Sequence, residues 1–284
     1  MKYILSLLAA LIALPSWACT SFLVGKKAST DGSTFITYNA DSYGTYGSTR
    51  FLRGGSDPKG TMRTIIDGDS NKYLGEIPEA PVTYTVIGQI NEHQVSLTET
   101  TFGGRAELAG KYEGIDYVSL MTLGLQRSRT AREAIQVMTS LVEKYGYASE
   151  GESFSIADPN EIWIMEMIGK GPGRKGAVWV AIRIPDDCIA AHANQSRIHK
   201  FNLKDKDNVI AARDVISFAR KQGYFSGKDE EFSFADAYSP ADFSALRFCE
   251  ARAWSFYNKW VDGMEKYLPA VDGRHIGQTE PMPL

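Results

Sequence analysis

Histidine is scarce in this chain. Four occur in 284 residues, His93, His192, His199 and His275, and none stands at a metal-ligand spacing. Each reads as an ordinary surface or core residue. Cysteine is scarcer still: Cys19, Cys188 and Cys249. An odd count leaves at least one thiol unpaired in an exported chain. A Cys188–Cys249 disulfide and two separate buried thiols are both open. Positive charge is not in excess: 31 Lys and Arg face 34 Asp and Glu, for a net charge of −3. Without a basic stripe, nucleic acid is excluded as a partner. No stretch after residue 18 is long and uncharged enough to span a bilayer, which takes about 20 apolar residues. No internal repeat, coiled coil or low-complexity tract is present.

What is present begins at the N-terminus. Lys2 supplies one positive charge, Tyr3 to Leu14 is an apolar run, and Pro15 ends it. Ser16-Trp17-Ala18 then sets small residues at the third and first positions before Cys19. That is the pattern of a secretory signal. The expected organisation is a signal peptide at residues 1–18 and one domain at 19–284. The mature chain is expected to be soluble, to start at Cys19 and to be exported, periplasmic or extracellular, without stable insertion in a membrane.

The hydrophobic period alternates between strand and helix. "TSFLVGKKA" and "STFITYN" flank the turn pair Asp31-Gly32, which predicts a hairpin. "VTYTVIGQIN" and "QVSLTETTF" predict a second pair, "ESFSIA" and "EIWIMEMIG" a third, and "GAVWVAIRIP" with "CIAAHAN" a fourth. Helices are expected over 117–129 and 130–145. The second has Thr130 and Glu133 as a capping box and Gly146 as its stop. Two more are expected over 208–222, capped by Asp207, and over 243–267. Strand pairs with helices inserted between them give an α+β class.

Cys19 admits three readings. A lipid anchor needs an aliphatic residue three positions earlier, where Ser16 stands beside bulky Trp17. A disulfide half would sit at a chain end. As a nucleophile Cys19 has a chemical advantage. Signal cleavage frees its α-amine, whose reference pKa of about 7.7–8.0 lies close below the thiol's at about 8.5. One residue then supplies both base and nucleophile, and no histidine is required.

"CTSFLVGKKASTDGSTFITYNAD" resembles the mature N-terminus of the N-terminal-nucleophile cysteine dipeptidases, the dipeptidase A and secernin family. The resemblance continues through "NEHQVSLTETTFGGR", "GESFSIADPNEIWIMEMIGKG", "GAVWVAIRIPDD", "AHANQSRI" and "DFSALRFCEARAW", in order and over nearly the whole mature chain. It implies a four-layer αββα sandwich and hydrolysis of short peptides, chiefly dipeptides, with no metal or organic cofactor. Penicillin V acylases and bile salt hydrolases are related, and use the same N-terminal cysteine on other amides.

Residue by residue, the resemblance makes Cys19 the nucleophile and Asp41 the acid that orders its amine. Asn194 and the neighbourhood of Thr101 become the oxyanion donors, and Arg247 the cation beside the thiolate. Glu99, two residues before Thr101 on the same strand face, is a candidate for a substrate ammonium. The bland alternatives are a turn cap for Asp41 and Asn194, a plain strand residue for Thr101, and a surface ion pair with Asp242 or Glu250 for Arg247. Tyr38 stands where many relatives carry an arginine. Relatives also run on beyond residue 284, so the chain reads as C-terminally truncated. The competing functions are an acylase or amidase, a non-catalytic exported protein tethered through Cys19, and an inactive relative.

Overall fold

The computed structural model describes residues 18–41, 49–110, 114–263 and 282–283. Residues 1–17 of the expected signal peptide 1–18 and positions 264–267 of the last expected helix lie outside the described residues. The class is mixed α/β with mostly antiparallel sheets and few helices.

The strands in chain order are β1 Ala18–Val24, β2 Phe35–Ile36, β3 Asn39–Asp41, β4 Phe51–Leu52, β5 Gly55–Ser56, β6 Met62–Ile66, β7 Tyr73–Pro78, β8 Val82–Thr83, β9 Val86–Ile87, β10 Ile90–Asn91, β11 Ser96–Gly103, β12 Gly151–Ala157, β13 Ile162–Gly169, β14 Ala177–Ile184, β15 Cys188–His192, β16 Val209–Ala211 and β17 Met282–Pro283. The α-helices are α1 Tyr117–Gln126, α2 Ala131–Tyr145, α3 Val215–Gln222, α4 Phe234–Tyr238 and α5 Ala251–Trp260. The large sheet runs β16-β14-β13-β12-β11-β10-β9-β4; the smaller runs β17-β15-β1-β2, with β3 paired to the start of β1.

The first hairpin forms as the sequence predicts. Asp31 Oδ1 accepts from Ser33 N at 3.0 Å, and Gly32 takes φ +77°, a left-handed turn position open to glycine. Helices α1 and α2 also follow their capping residues. Asp116 Oδ1 accepts from the N–H groups of Val118 and Ser119. Thr130 accepts from Glu133 N at 3.2 Å, a cap worth about 1 kcal/mol.

Three sequence expectations are corrected. The segment 82–91 is three short strands, because Gly88 at φ +57° and the pairing of β8 with β5 break the run. Strands β14 and β15 do not pair with each other: β14 lies between β13 and β16, and β15 lies beside β1 in the smaller sheet. Pro185 to Asp187 carries the chain from one sheet to the other. Residues 209–211 are the edge strand β16, not helix; the β-branched pair Val209-Ile210 suits a pleated edge. The helix α3 starts only at Val215.

Strand alternation assigns every face. Leu97, Phe154, Ile156, Trp163, Met165 and Met167 pack against α1 and α2. The opposite face of the large sheet, with Ile162, Ile164, Val178 and Val180, meets Leu23, Cys188 and Ala190 of the smaller sheet, together with α3 and α4. Leu23 is fully buried there, and truncating such a leucine costs about 2–5 kcal/mol. The outer face of the smaller sheet, Phe22, Val24, Ile189 and Ala191, packs on Ala253, Phe256 and Tyr257 of α5. The Phe22 and Phe256 rings stack at 4.1 Å. Cys19 shares the inward face of β1 with Ser21 and Leu23 and stands near the strand's start.

Candidate active site

Cys19 lies at the second position of β1, between β15 and β3, opposite Ala40. Its backbone N–H donates to Asn194 Oδ1 at 2.6 Å. Asn194 follows β15 in a left-handed conformation, φ +60°, which asparagine tolerates better than most residues. That turn aims its amide back at β1. Its Nδ2 donates to the Thr101 carbonyl at 2.7 Å, which leaves one amide hydrogen over.

Arg252 braces the same corner. Its Nη1 donates to the Cys19 carbonyl at 2.5 Å and to Thr20 Oγ1 at 2.7 Å. Its Nη2 donates to the Ala193 carbonyl at 3.0 Å and to Asn194 Oδ1 at 2.9 Å, and its Nε to the Phe248 carbonyl at 2.6 Å. All five guanidinium hydrogens are thereby used. Arg252 is a clamp on the polypeptide, with no donor left for a substrate carboxylate.

A buried network anchors the clamp. Glu166 accepts from Ser153 Oγ, Ser196 Oγ and the N–H groups of Arg197 and Ile198. Arg197 in turn pairs with Glu250, two residues before Arg252. Breaking one partner of such a buried pair costs several kcal/mol, so the loop after Asn194 and the start of α5 are held together. Deeper between the sheets, His192 sits between Thr100 Oγ1 at 2.7 Å and Ser155 Oγ at 2.6 Å. Burial, and next the charge of Arg197, push it down to about 3. It is a neutral structural histidine.

On the other side of Cys19 lies negative charge. The Tyr38 hydroxyl donates to Glu99 Oε1 at 2.6 Å. Burial and next the charge of Glu99 push the Cys19 thiol up to about 11; the nearby Tyr38 hydroxyl, the Asp41 backbone N–H and the charge of Arg252 act in the opposite direction. Thr101 Oγ1 donates to Glu152 Oε1 at 2.9 Å. Tyr38 also lines a cleft of about 720 Å³ between the first hairpin, β10–β11 and the turn at Asp158, with Phe35, Ile90, Gln94 and Thr98 among its walls.

The sequence-predicted site residues fare differently. Cys19, Asn194, Thr101 and Glu99 come together. Asn194 does so as the acceptor for Cys19 N, with one amide hydrogen left over. Asp41 contributes its backbone N–H. Its carboxylate is exposed and accepts from Asn39 Nδ2 at 2.6 Å, because Asp41 and Asn39 point to the face of β3 opposite Ala40, which pairs with Cys19. Arg247 is corrected: it is exposed, with its guanidinium over the ring of its neighbour Phe248. Arg252 takes the place expected of it. The segment Ala245–Glu250 is a π-helical turn, so the face that meets β1 is not the one a regular 3.6-residue period predicts.

Arg252 and Glu152 were missed. A glutamate within the strand "GESFSIA" is the signal for one. A second arginine five positions after Arg247 is the weak signal for the other. All three cysteines are free thiols. Among the described residues no cluster of His, Cys, Asp and Glu is arranged to hold a metal, and no helix is long and apolar enough to cross a membrane.

Cys19 thus has its main-chain nitrogen held by Asn194 and its carbonyl held by Arg252, at the start of an inner strand. The model of Peptidase family C69 matches residues 18–56 and 56–284, and the chain belongs to that family. It is similar to a probable dipeptidase of Salmonella dublin, 27% identical over 86% of this chain and 58% of the relative. It is also similar to a probable dipeptidase of Latilactobacillus sakei, 30% identical over 84% of this chain and 52% of the relative. A probable dipeptidase B of Streptococcus pyogenes serotype M1 is 28% identical over 79% of this chain and 47% of the relative. The chain spans about half the length of the curated relatives it matches.

Proposed function

We propose that this chain is the catalytic portion of an exported cysteine peptidase that hydrolyses dipeptides, on a four-layer αββα N-terminal-nucleophile framework. The observation that carries the reading is the 2.6 Å bond from Cys19 N to Asn194 Oδ1. Removal of residues 1–18 turns that nitrogen into the α-amine of Cys19. Asn194 then holds the amine beside its own thiol, and the charge of Arg252 nearby favours its neutral, basic form.

The amine takes the thiol proton and the thiolate attacks the amide carbonyl carbon. The remaining Asn194 amide hydrogen is the donor best situated for the oxyanion that develops. The ammonium returns its proton to the departing amine. Water then attacks the thioester, the amine again taking the proton, and the acid product leaves. Glu99 supplies negative charge for a substrate ammonium, and the dipeptidase names of the relatives favour the same substrate class. Arg252, being saturated, acts by holding Cys19 and Asn194 in register.

The test is to produce the protein with Cys19 as its first residue, verify the free N-terminus by intact mass, and assay a dipeptide library. Hydrolysis that disappears in Cys19→Ala supports the reading. A blocked N-terminus in the active exported protein, or activity that survives Cys19→Ala, overturns it.

A further inference from the structure

The cleft beside Tyr38 is open to solvent and takes no part in the chemistry assigned to Cys19. Its volume of about 720 Å³ is that of a small-ligand pocket. The first hairpin forms one wall and β10–β11 the other. Phe35 stands on the first wall and Ile90 on the second, 45% and 43% exposed. Large apolar side chains left open on both walls of a concave site gain by burying an apolar group of a ligand.

The cleft approaches Cys19 by two residues. Tyr38 lines it and lies beside the thiol. Thr98 lines it as well, and its hydroxyl is 3.4 Å from Ser21 Oγ. Ser21 is two residues after Cys19 on the same face of β1, about 7 Å along the strand. A substrate whose carbonyl carbon meets the Cys19 sulfur therefore brings an adjoining side chain to the inner end of the cleft.

Charge decides which side of the substrate enters. Among the described residues no Lys or Arg lines the cleft. Its two carboxylates are already engaged. Asp31 accepts from Ser33 N and Oγ, and Asp158 from the N–H groups of Ala131, Asn160 and Glu161. The polar groups left to face a ligand are neutral, the amides of Gln89 and Gln94 and the Ser96 hydroxyl. Such a lining desolvates a carboxylate without pairing it. It disfavours the leaving residue, which carries the terminal carboxylate, and suits the residue that supplies the carbonyl. Gln94 is held at the rim in a left-handed conformation, φ +64°, by a turn in which Asn91 Oδ1 accepts from the N–H groups of His93 and Val95.

We propose that this cleft is the specificity pocket for the residue whose carbonyl is attacked, and that it takes a large uncharged side chain, with Phe35 and Ile90 covering the apolar part and Gln94 setting the polarity of the rim. This rests on the peptide-hydrolase reading above and adds a side-chain preference that the reading leaves open.

The test uses the protein produced with Cys19 as its first residue, together with Ile90→Ala and Gln94→Lys. The substrates are phenylalanyl-, leucyl-, glycyl- and aspartyl-alanine, which share one leaving residue. Both substituted positions are exposed, so neither variant empties the core. In the wild type kcat/KM is expected to be on the order of tenfold or more higher for the phenylalanyl and leucyl peptides than for the glycyl peptide, and lowest for the aspartyl peptide. Ile90→Ala is expected to lower the phenylalanyl value about threefold or more beyond any change in the glycyl value. Gln94→Lys is expected to raise the aspartyl value relative to the leucyl value about fivefold, a gain that misfolding does not produce. Calorimetry of the same peptides on Cys19→Ala is expected to give the same order in Kd. A glycyl peptide cut as well as the phenylalanyl one, or an unchanged aspartyl-to-leucyl ratio in Gln94→Lys, overturns the inference and leaves the hydrolase reading standing. If no peptide is cut, the hydrolase reading fails, and the calorimetric order decides the cleft: equal affinities overturn it.

Discussion

Asn194 Oδ1 accepts the backbone N–H of Cys19 at 2.6 Å although 175 positions separate the two residues. The contact depends on the left-handed φ of +60° at Asn194, which turns its amide towards β1. Two variants separate the amide from the backbone. Asn194→Ala loses both the hydrogen bonds and the tolerance of that φ. Asn194→Gly loses only the bonds, since glycine adopts positive φ freely. Both are expected to lose dipeptide hydrolysis, and Asn194→Ala is expected to be less stable than Asn194→Gly by about 1 kcal/mol, read from denaturant midpoints. Equal activity of Asn194→Gly and wild type would remove Asn194 from the site.

The Cys19 thiol is pushed up to about 11 while residue 18 remains attached. At pH 7 roughly one molecule in 10⁴ then carries the thiolate. Alkylation of Cys19 by iodoacetamide in the uncleaved chain is expected to be slow at pH 7 and to rise about tenfold per pH unit until the pH approaches that value. If the α-amine acts as base, a protein produced with Cys19 as its first residue is expected to react faster at pH 7. Equal rates in the two forms would mean that the amine does not assist the thiol.

Arg252 and Arg247 are five positions apart and are expected to behave oppositely. Arg252→Ala strips four hydrogen bonds from the Cys19–Asn194 corner. It is expected to cost about 2–4 kcal/mol of stability and on the order of a hundredfold in kcat/KM through misplacement of the nucleophile. Arg252→Lys keeps the charge but not the fork, and is expected to recover only part of the loss. Arg247→Ala is expected to stay within about 0.5 kcal/mol of wild type and to keep its activity. A severe Arg247→Ala defect alongside a mild Arg252→Ala defect would reverse the assignment.

His192 is held neutral, pushed down to about 3, against a reference near 6.5 unfolded. As the pH falls below about 6.5 the unfolded chain binds a proton that the folded one refuses. Stability is therefore lost by about 1.4 kcal/mol per pH unit from this residue, until the folded-state value is reached. His192→Gln, which can still bond Thr100 and Ser155, is expected to flatten the fall in stability between pH 6.5 and 4.5. Denaturant titrations at both pH values check it; parallel slopes in the two proteins would contradict it.

Much of the site was legible because some signals are local. Thr130 and Gly146 bound α2 by capping and by glycine's freedom at positive φ, and both act within a few residues. Strand parity set Glu99 and Thr101 on one face, and that face does carry both towards Glu152. Cys19 stood out because a thiol and an amine on one residue need no partner to be chemically complete.

Other features had no local signal. That β14 and β15 belong to different sheets is decided by which edges remain open for pairing, and the run "GAVWVAIRIPDDCIAAH" reads equally well as a hairpin. Arg252 replaces Arg247 because a π-turn changes the helix register against β1, and periodicity assumes a constant 3.6 residues per turn. Glu152 was invisible as a partner of Glu99 because strand register, not sequence distance, brings them together.

By itself the sequence determined the α+β class, the capped helices, the first hairpin and the family. Those follow from short-range sterics, hydrophobic period and the chemistry of single residues. Only the tertiary structure decided that Asn194 and Arg252 hold the main chain of Cys19, that Asp41 contributes an N–H in place of a carboxylate, and that two glutamates crowd the thiol from the other side. The physical reason is that hydrogen bonds and charge pairs act over about 3 Å whatever the chain separation. The packing of two sheets and α5 is what brings residues 19, 194 and 252 within that range.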